Sequence, residues 1–263
     1  MSVLDAVEAG FASMRGHGIY DLKNAANPLR TRPHIIVPYC TGDMHLGNED
    51  VTHHPPKSTG MSSHTKASKI YHRGAVNTKA VLSWLKEHYP QSAVRSITLV
   101  GCSAGGFAST LYATHLTRMY PDASIVVVAD GAASVPDVIF PTVWKSWGIK
   151  AGGAWPEWIP KFKSWAAEFD RVITDMTPTS ATSMFSFGWQ DVVAAILEYA
   201  NDGVQSLEAA VPPAELPKAK TSTSVLPRVR VGLLTFMQDD KQLHYWTAAG
   251  GKGEDASRSL TFS

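Results

Sequence analysis

The sequence predicts an α/β fold built on a doubly wound, mostly parallel sheet. Three observations predict it. A β-prone run, Ile97-Thr98-Leu99-Val100, stops at Gly101 and turns through Cys102-Ser103 into a helix-compatible segment of small residues. A second run, Ile125-Val126-Val127-Val128-Ala129, is unbroken and largely β-branched, the pattern of a strand covered on both faces of a parallel sheet. Around these runs strand and helix patterns alternate, which implies right-handed crossovers.

Composition narrows the class. The 263 residues suffice for one α/β domain with a substantial core, and a single domain over 1–263 is expected. A formal charge of +1, with scattered Lys and Arg, leaves no electrostatic footprint for nucleic acid. No apolar run reaches the ~20 residues that cross a bilayer. Asp5 and Glu8 stand where a secretory leader would carry basic residues. Two cysteines, Cys40 and Cys102, do not make a disulfide framework, although both fall at strand ends and could pair.

In chain order, Val3, Leu4, Val7 and Phe11 mark a short amphipathic helix, followed by a loop through Gly16, Gly18 and Asn27-Pro28. Residues 33–40 (Pro33-His34-Ile35-Ile36-Val37-Pro38-Tyr39-Cys40) read as a strand, and 41–48 as a turn-rich loop. The polar stretch 49–69 reads as surface loop. Apolar positions from Ala75 to Leu85 follow helical spacing, ended by Pro90. The strand at 94–101 comes next, then a helix after Ser103 that runs to about Tyr120, where Pro121 stops it. Residues 132–182 form a Trp-rich insertion. Within it Trp155, Trp158, Ile159, Phe162, Trp165 and Phe169 predict one face of a helix started by Pro156. A strand at 183–187, a helix at 192–200, a loop over 203–227 and a last strand at 229–236 complete the pattern.

Gly101, Ser103 and Gly105 fit G-x-S-x-G, and a strand before and a helix after are the context of a nucleophile elbow. So sharp a turn predicts that only residues without bulk fit at 101, 105 and 106. A serine nucleophile needs a base, and the base an orienting acid, in the order Ser, acid, His. Only His115 and His244 lie beyond Ser103. His115 falls on the helix leaving the elbow, so His244, after the last strand, is the expected base. Asp191 is the expected acid, with Asp130 as the alternative. The N–H of Ala104 is the expected oxyanion donor. A metal site drawn from Asp43, His45, His53, His54 or His64 is the rival chemistry, but no recognised ligand spacing supports it, so neither metal nor cofactor is expected.

Gly101-Cys102-Ser103-Ala104-Gly105-Gly106, Tyr39-Cys40-Thr41-Gly42-Asp43 with His45 and Gly47, and Tyr71-His72-Arg73-Gly74 resemble the pectin acetylesterase and Notum family of α/β-hydrolase-like serine esterases. The similarity runs from about Asn27 to His244. It implies hydrolysis of O-acyl esters, O-acetyl esters above all, by a triad that maps onto Ser103, Asp191 and His244. It also implies secretion and an acylated small molecule or polysaccharide as substrate; a monomer is expected. Asp43 and His45 are expected to line the substrate cleft, and the aromatic insertion to wall it. Two features depart from the family pattern. No glycine-rich oxyanion strand is recognisable in residues 1–33, and no closing helix follows His244. The sequence therefore reads as lacking an N-terminal strand and a C-terminal helix, and the alternative is a non-catalytic or truncated member with little turnover.

Overall fold

The computed structural model describes Gly16 and residues 18–53, 68–132, 140–175, 189–208 and 229–234. The chain divides into two compact units, Met1–Cys40 and Thr41–Ser263. In the first, a 3-10 turn spans Gly18–Tyr20. Asn27 pins it: its Nδ2 donates to the carbonyls of Ile19 (2.8 Å) and Asp21 (3.0 Å), and its Oδ1 accepts from Leu29 N–H (2.9 Å). The predicted helix around Val3–Phe11 lies outside the described residues. The predicted strand over 33–40 is not formed; these residues are exposed and adopt no regular structure. Pro33 and Pro38 remove two of the donors a ladder needs.

The described residues of the second unit carry two sheets. The stretch expected to be loop contributes an antiparallel hairpin, β1 (Glu49–His53) with β2 (Ser68–His72), in register Val51↔Ile70. Charge pairing stabilises what apolar alternation does not. Asp50 receives Lys69 Nζ at 2.9 Å and also pairs with Arg73.

The main described sheet is wholly parallel, in the order β3 (Ser96–Cys102), β4 (Ser124–Asp130), β5 (Val229–Leu234). This mixed α/β arrangement is that of an α/β-hydrolase-like fold. On β4, Ile125, Val127 and Ala129 are fully buried, while Val126 and Val128 on the other face are only half-buried. One face is therefore more deeply covered than the apolar run predicts. Helix α1 (Gly74–His88) precedes β3, and α2 (Ala104–Met119) joins β3 to β4. Phe107, Leu111 and Leu116 of α2 share a buried cluster with Ile125, Val127 and Val229.

Among the described residues the insertion holds three helices: α3 (Phe140–Trp147), α4 (Ile149–Gly152) and α5 (Pro160–Asp175). The third starts one turn later than predicted. Residues 156–159 form a turn closed by Ile159 N–H on the Pro156 carbonyl (2.9 Å), so Pro160, not Pro156, takes the first helical position. The aromatic stripe is core. Trp144 stacks on Phe169 with centroids 3.8 Å apart, and Trp155 Nε1 donates to the Phe162 carbonyl at 2.9 Å. All four side chains are buried.

Helix α6 spans Trp189–Glu208, longer at both ends than predicted and running into the expected loop at 203. Its Asn201 side chain brackets the start of β5, accepting from Val229 N–H (2.9 Å) and donating to Val229 O (3.2 Å). The predicted strand at 183–187 lies outside the described residues. No helix among the described residues is long and apolar enough to cross a membrane.

Candidate active site

Ser103 stands alone between β3 and α2, solvent-exposed, at φ 52° and ψ −120°. An L-residue is held in that region only when its surroundings over-determine it, at a cost of about 1–3 kcal/mol. The surroundings do so here. Ser103 N–H donates to the Asp130 carbonyl at the end of β4 (2.7 Å), while Ser103 O accepts from Gly106 N–H (2.8 Å) and Phe107 N–H (3.3 Å). The hydroxyl makes no capping bond to the helix it precedes. It is thus presented outward, and Ala104 N–H is the first of the amides at a helix start that have no intrahelical acceptor.

Glycine is required at two of the three expected positions. A Cβ on Gly101 would run into the Gly105 carbonyl and come within 2.7 Å of Gly106 N, and one on Gly106 would meet Ala132 Cβ at 2.5 Å. Gly105 departs from expectation: a Cβ there meets nothing within 4 Å. Its carbonyl, which every residue possesses, is what crowds Gly101.

Asp191 is exposed in the first turn of α6. Two residues before it, buried Trp189 packs edge-on against Phe107, with centroids 4.9 Å apart. The start of α6 therefore lies against the first turn of the helix that leaves Ser103. Asp130, the alternative acid, contributes its backbone carbonyl to the elbow. His244 lies outside the described residues. His115 is engaged elsewhere: its Nε2 lies 2.8 Å from the Ala154 carbonyl and its ring meets Trp158 edge-on. Burial holds the His115 imidazole below its ordinary pKa, opposed by that hydrogen bond.

Asp43 and His45 are both buried, Asp43 completely. The Asp43 carboxylate accepts from Thr41 Oγ1 (2.5 Å), His45 N–H (3.1 Å) and Gly74 N–H (2.7 Å). These three bonds anchor the loop around it. His45 is held below its ordinary pKa by burial, with the Asp43 charge opposing. His72 donates from Nδ1 to the Thr41 carbonyl (2.9 Å), and its buried Nε2 finds no partner among the described residues. Of the rival metal set, His54 and His64 lie outside the described residues, and no cluster of three ligating side chains occurs among the described ones. Cys40 and Cys102 are both exposed.

One known family matches part of the chain. The family model Pectinacetylesterase matches residues 11–135. Over that stretch, a little under half of its length, the chain is similar to the pectinacetylesterase family. That family consists of carboxylic ester hydrolases. The pectinacetylesterase match takes in the Thr41–Gly47 loop, Ser103, Ala104 and Asp130, and ends before Asp191 and His244. No curated protein and no solved structure matches the chain.

Two features of the site had no signature in the sequence. The Asp130 carbonyl that ties down Ser103, and the Gly74 amide that completes the Asp43 shell, are backbone groups, which any residue type would supply.

Proposed function

We propose that this chain is a serine esterase acting on O-acetyl esters, with pectin-type polysaccharide as the substrate class that the family points to. The observation that carries the reading is the exposed Ser103 in a strained strand-to-helix turn, its backbone tied down on both sides and its hydroxyl unused by the helix cap. In this reading His244 takes the proton from Ser103 Oγ as the oxygen attacks the ester carbonyl. Asp191 orients the imidazole and stabilises its charged form. Ala104 N–H receives the oxyanion, where the partial positive charge of the α2 N-terminus adds to the hydrogen bond. Collapse of the tetrahedral species releases the alcohol, which takes the proton from His244. Water, deprotonated by the same histidine, then frees acetate and restores Ser103.

Packing of the α6 start against the first turn of α2 supports Asp191 over Asp130, because it brings the acid's helix to the nucleophile's helix. The test is hydrolysis of p-nitrophenyl acetate together with labelling by a fluorophosphonate probe. Wild type is expected to turn over and to label, and Ser103→Ala to do neither, with a rate loss on the order of 10⁴-fold or more. Equal rates would remove Ser103 from the chemistry, and a folded wild type that neither labels nor turns over would make the chain a non-catalytic member.

A further inference from the structure

Asp43 is a fully buried carboxylate, and burial of a charge is tolerated only where its oxygens are supplied with donors. One of its oxygens takes Thr41 Oγ1 and His45 N–H, the other Gly74 N–H. The last of these is the first amide of the fifteen-residue α1, where a negative charge is favoured by the helix dipole. Between the anchored ends, Gly42, Met44 and His45 all adopt positive φ, at 63°, 53° and 62°. A Cβ on Gly47 would come within 2.7 Å of Asp43 Oδ2, and one on Gly74 within 2.5 Å of His45 Cα, so the loop is drawn tight onto the carboxylate. The loop is fastened to α2 as well: Tyr112 Oη donates to the His45 carbonyl at 2.8 Å, from the helix whose first residue follows Ser103.

We infer that Asp43 is a positioning residue of the esterase: its carboxylate locks the Thr41–Gly47 loop against the α1 N-terminus and, through His45 and Tyr112, fixes the helix that carries the nucleophile. It touches neither substrate nor reacting atoms. This rests on the serine-esterase reading.

Asp43→Asn separates positioning from plain stability. An amide keeps the volume but replaces one acceptor with a donor, setting N–H against N–H either at Gly74 or at the Thr41–His45 pair. The probe labels Ser103 directly, so two quantities are read: the fraction of molecules labelled at completion, and the second-order rate constant of those that label. Positioning lowers the rate constant in the labelled fraction, by about tenfold to a hundredfold, as small misplacements do, and kcat for p-nitrophenyl acetate falls by the same factor. A merely structural Asp43 lowers only the labelled fraction and leaves the rate constant at the wild-type value, which overturns the inference. Thr41→Val and Tyr112→Phe each remove one bond of the chain of contacts. They carry the same test if Asp43→Asn fails to fold: slower labelling in both supports the inference, and wild-type rate constants in both overturn it. Should wild type itself fail to label, the esterase reading fails first.

Discussion

Two places in the molecule hold non-glycine residues at positive φ among the described residues: Ser103, and the pair Met44-His45. Ser103 is exposed, and the backbone around it is fixed by amide and carbonyl bonds from β4 and α2 while its side chain is left unused by the helix cap. His45 is buried, with its amide on Asp43 and its carbonyl on Tyr112. The same sign of φ serves opposite purposes. At Ser103 strain goes with an exposed hydroxyl, the proposed nucleophile, and at His45 it folds a loop inward onto a buried charge. Strain alone therefore does not mark a catalytic residue; in the proposed esterase it is strain together with an exposed side chain unused by the helix cap that singles out Ser103.

The largest effect that tests this distinction, after loss of Ser103 itself, concerns the acid. Asp191→Asn is expected to lower kcat for p-nitrophenyl acetate on the order of 10⁴-fold, as removal of the orienting charge does in other triads. Asp130→Asn keeps the backbone carbonyl that holds Ser103 and is expected to retain activity within about tenfold, since no triad role is then lost. The reverse ranking would transfer the acid to β4 and leave Asp191 as a helix-terminal charge.

Stability separates the glycines of the elbow. Gly101→Ala is expected to destabilise by about 1–3 kcal/mol in chemical denaturation, because the added methyl drives into a backbone carbonyl that cannot withdraw. Gly105→Ala meets open space in a helix and is expected to be neutral or to stabilise by up to about 1 kcal/mol. Equal losses at both positions would mean that the elbow is crowded throughout, as the spacing of G-x-S-x-G suggests on its face.

That pair also shows what could be read in advance. The elbow was legible because its constraint is local: a strand, a tight turn and a helix impose a glycine pattern on contiguous residues. The motif does not say which glycine is sterically required, since that depends on how β3 and α2 approach each other. Residues 33–40 carry the apolar composition of a strand, yet composition cannot supply a pairing partner. The hairpin of β1 and β2 was missed for the opposite reason. Its stabilising contacts are Asp50 with Lys69 and Arg73, which look like a solvated loop when read in order. Asp43 stood out as a residue worth naming, but its donors come from Thr41, His45 and the distant Gly74. Its role as an anchor follows from their convergence, which no spacing in the sequence encodes.

The smallest effect isolates the backbone term at the two strained sites. Ser103→Gly removes a residue that dislikes its conformation and, because the side chain is exposed, forfeits almost no packing. It is expected to raise the unfolding free energy by about 1 kcal/mol while abolishing hydrolysis. His45→Gly relieves a similar strain but empties a buried site, and large-to-small losses in a core run to about 2–5 kcal/mol. A net destabilisation of about 1–3 kcal/mol is therefore expected there, the relief offsetting only part of the cavity term. Urea denaturation of the two variants beside wild type reads both signs at once. A Ser103→Gly protein no more stable than wild type would mean that the turn is not strained at all, and that its positive φ is simply what the β3–α2 junction prefers.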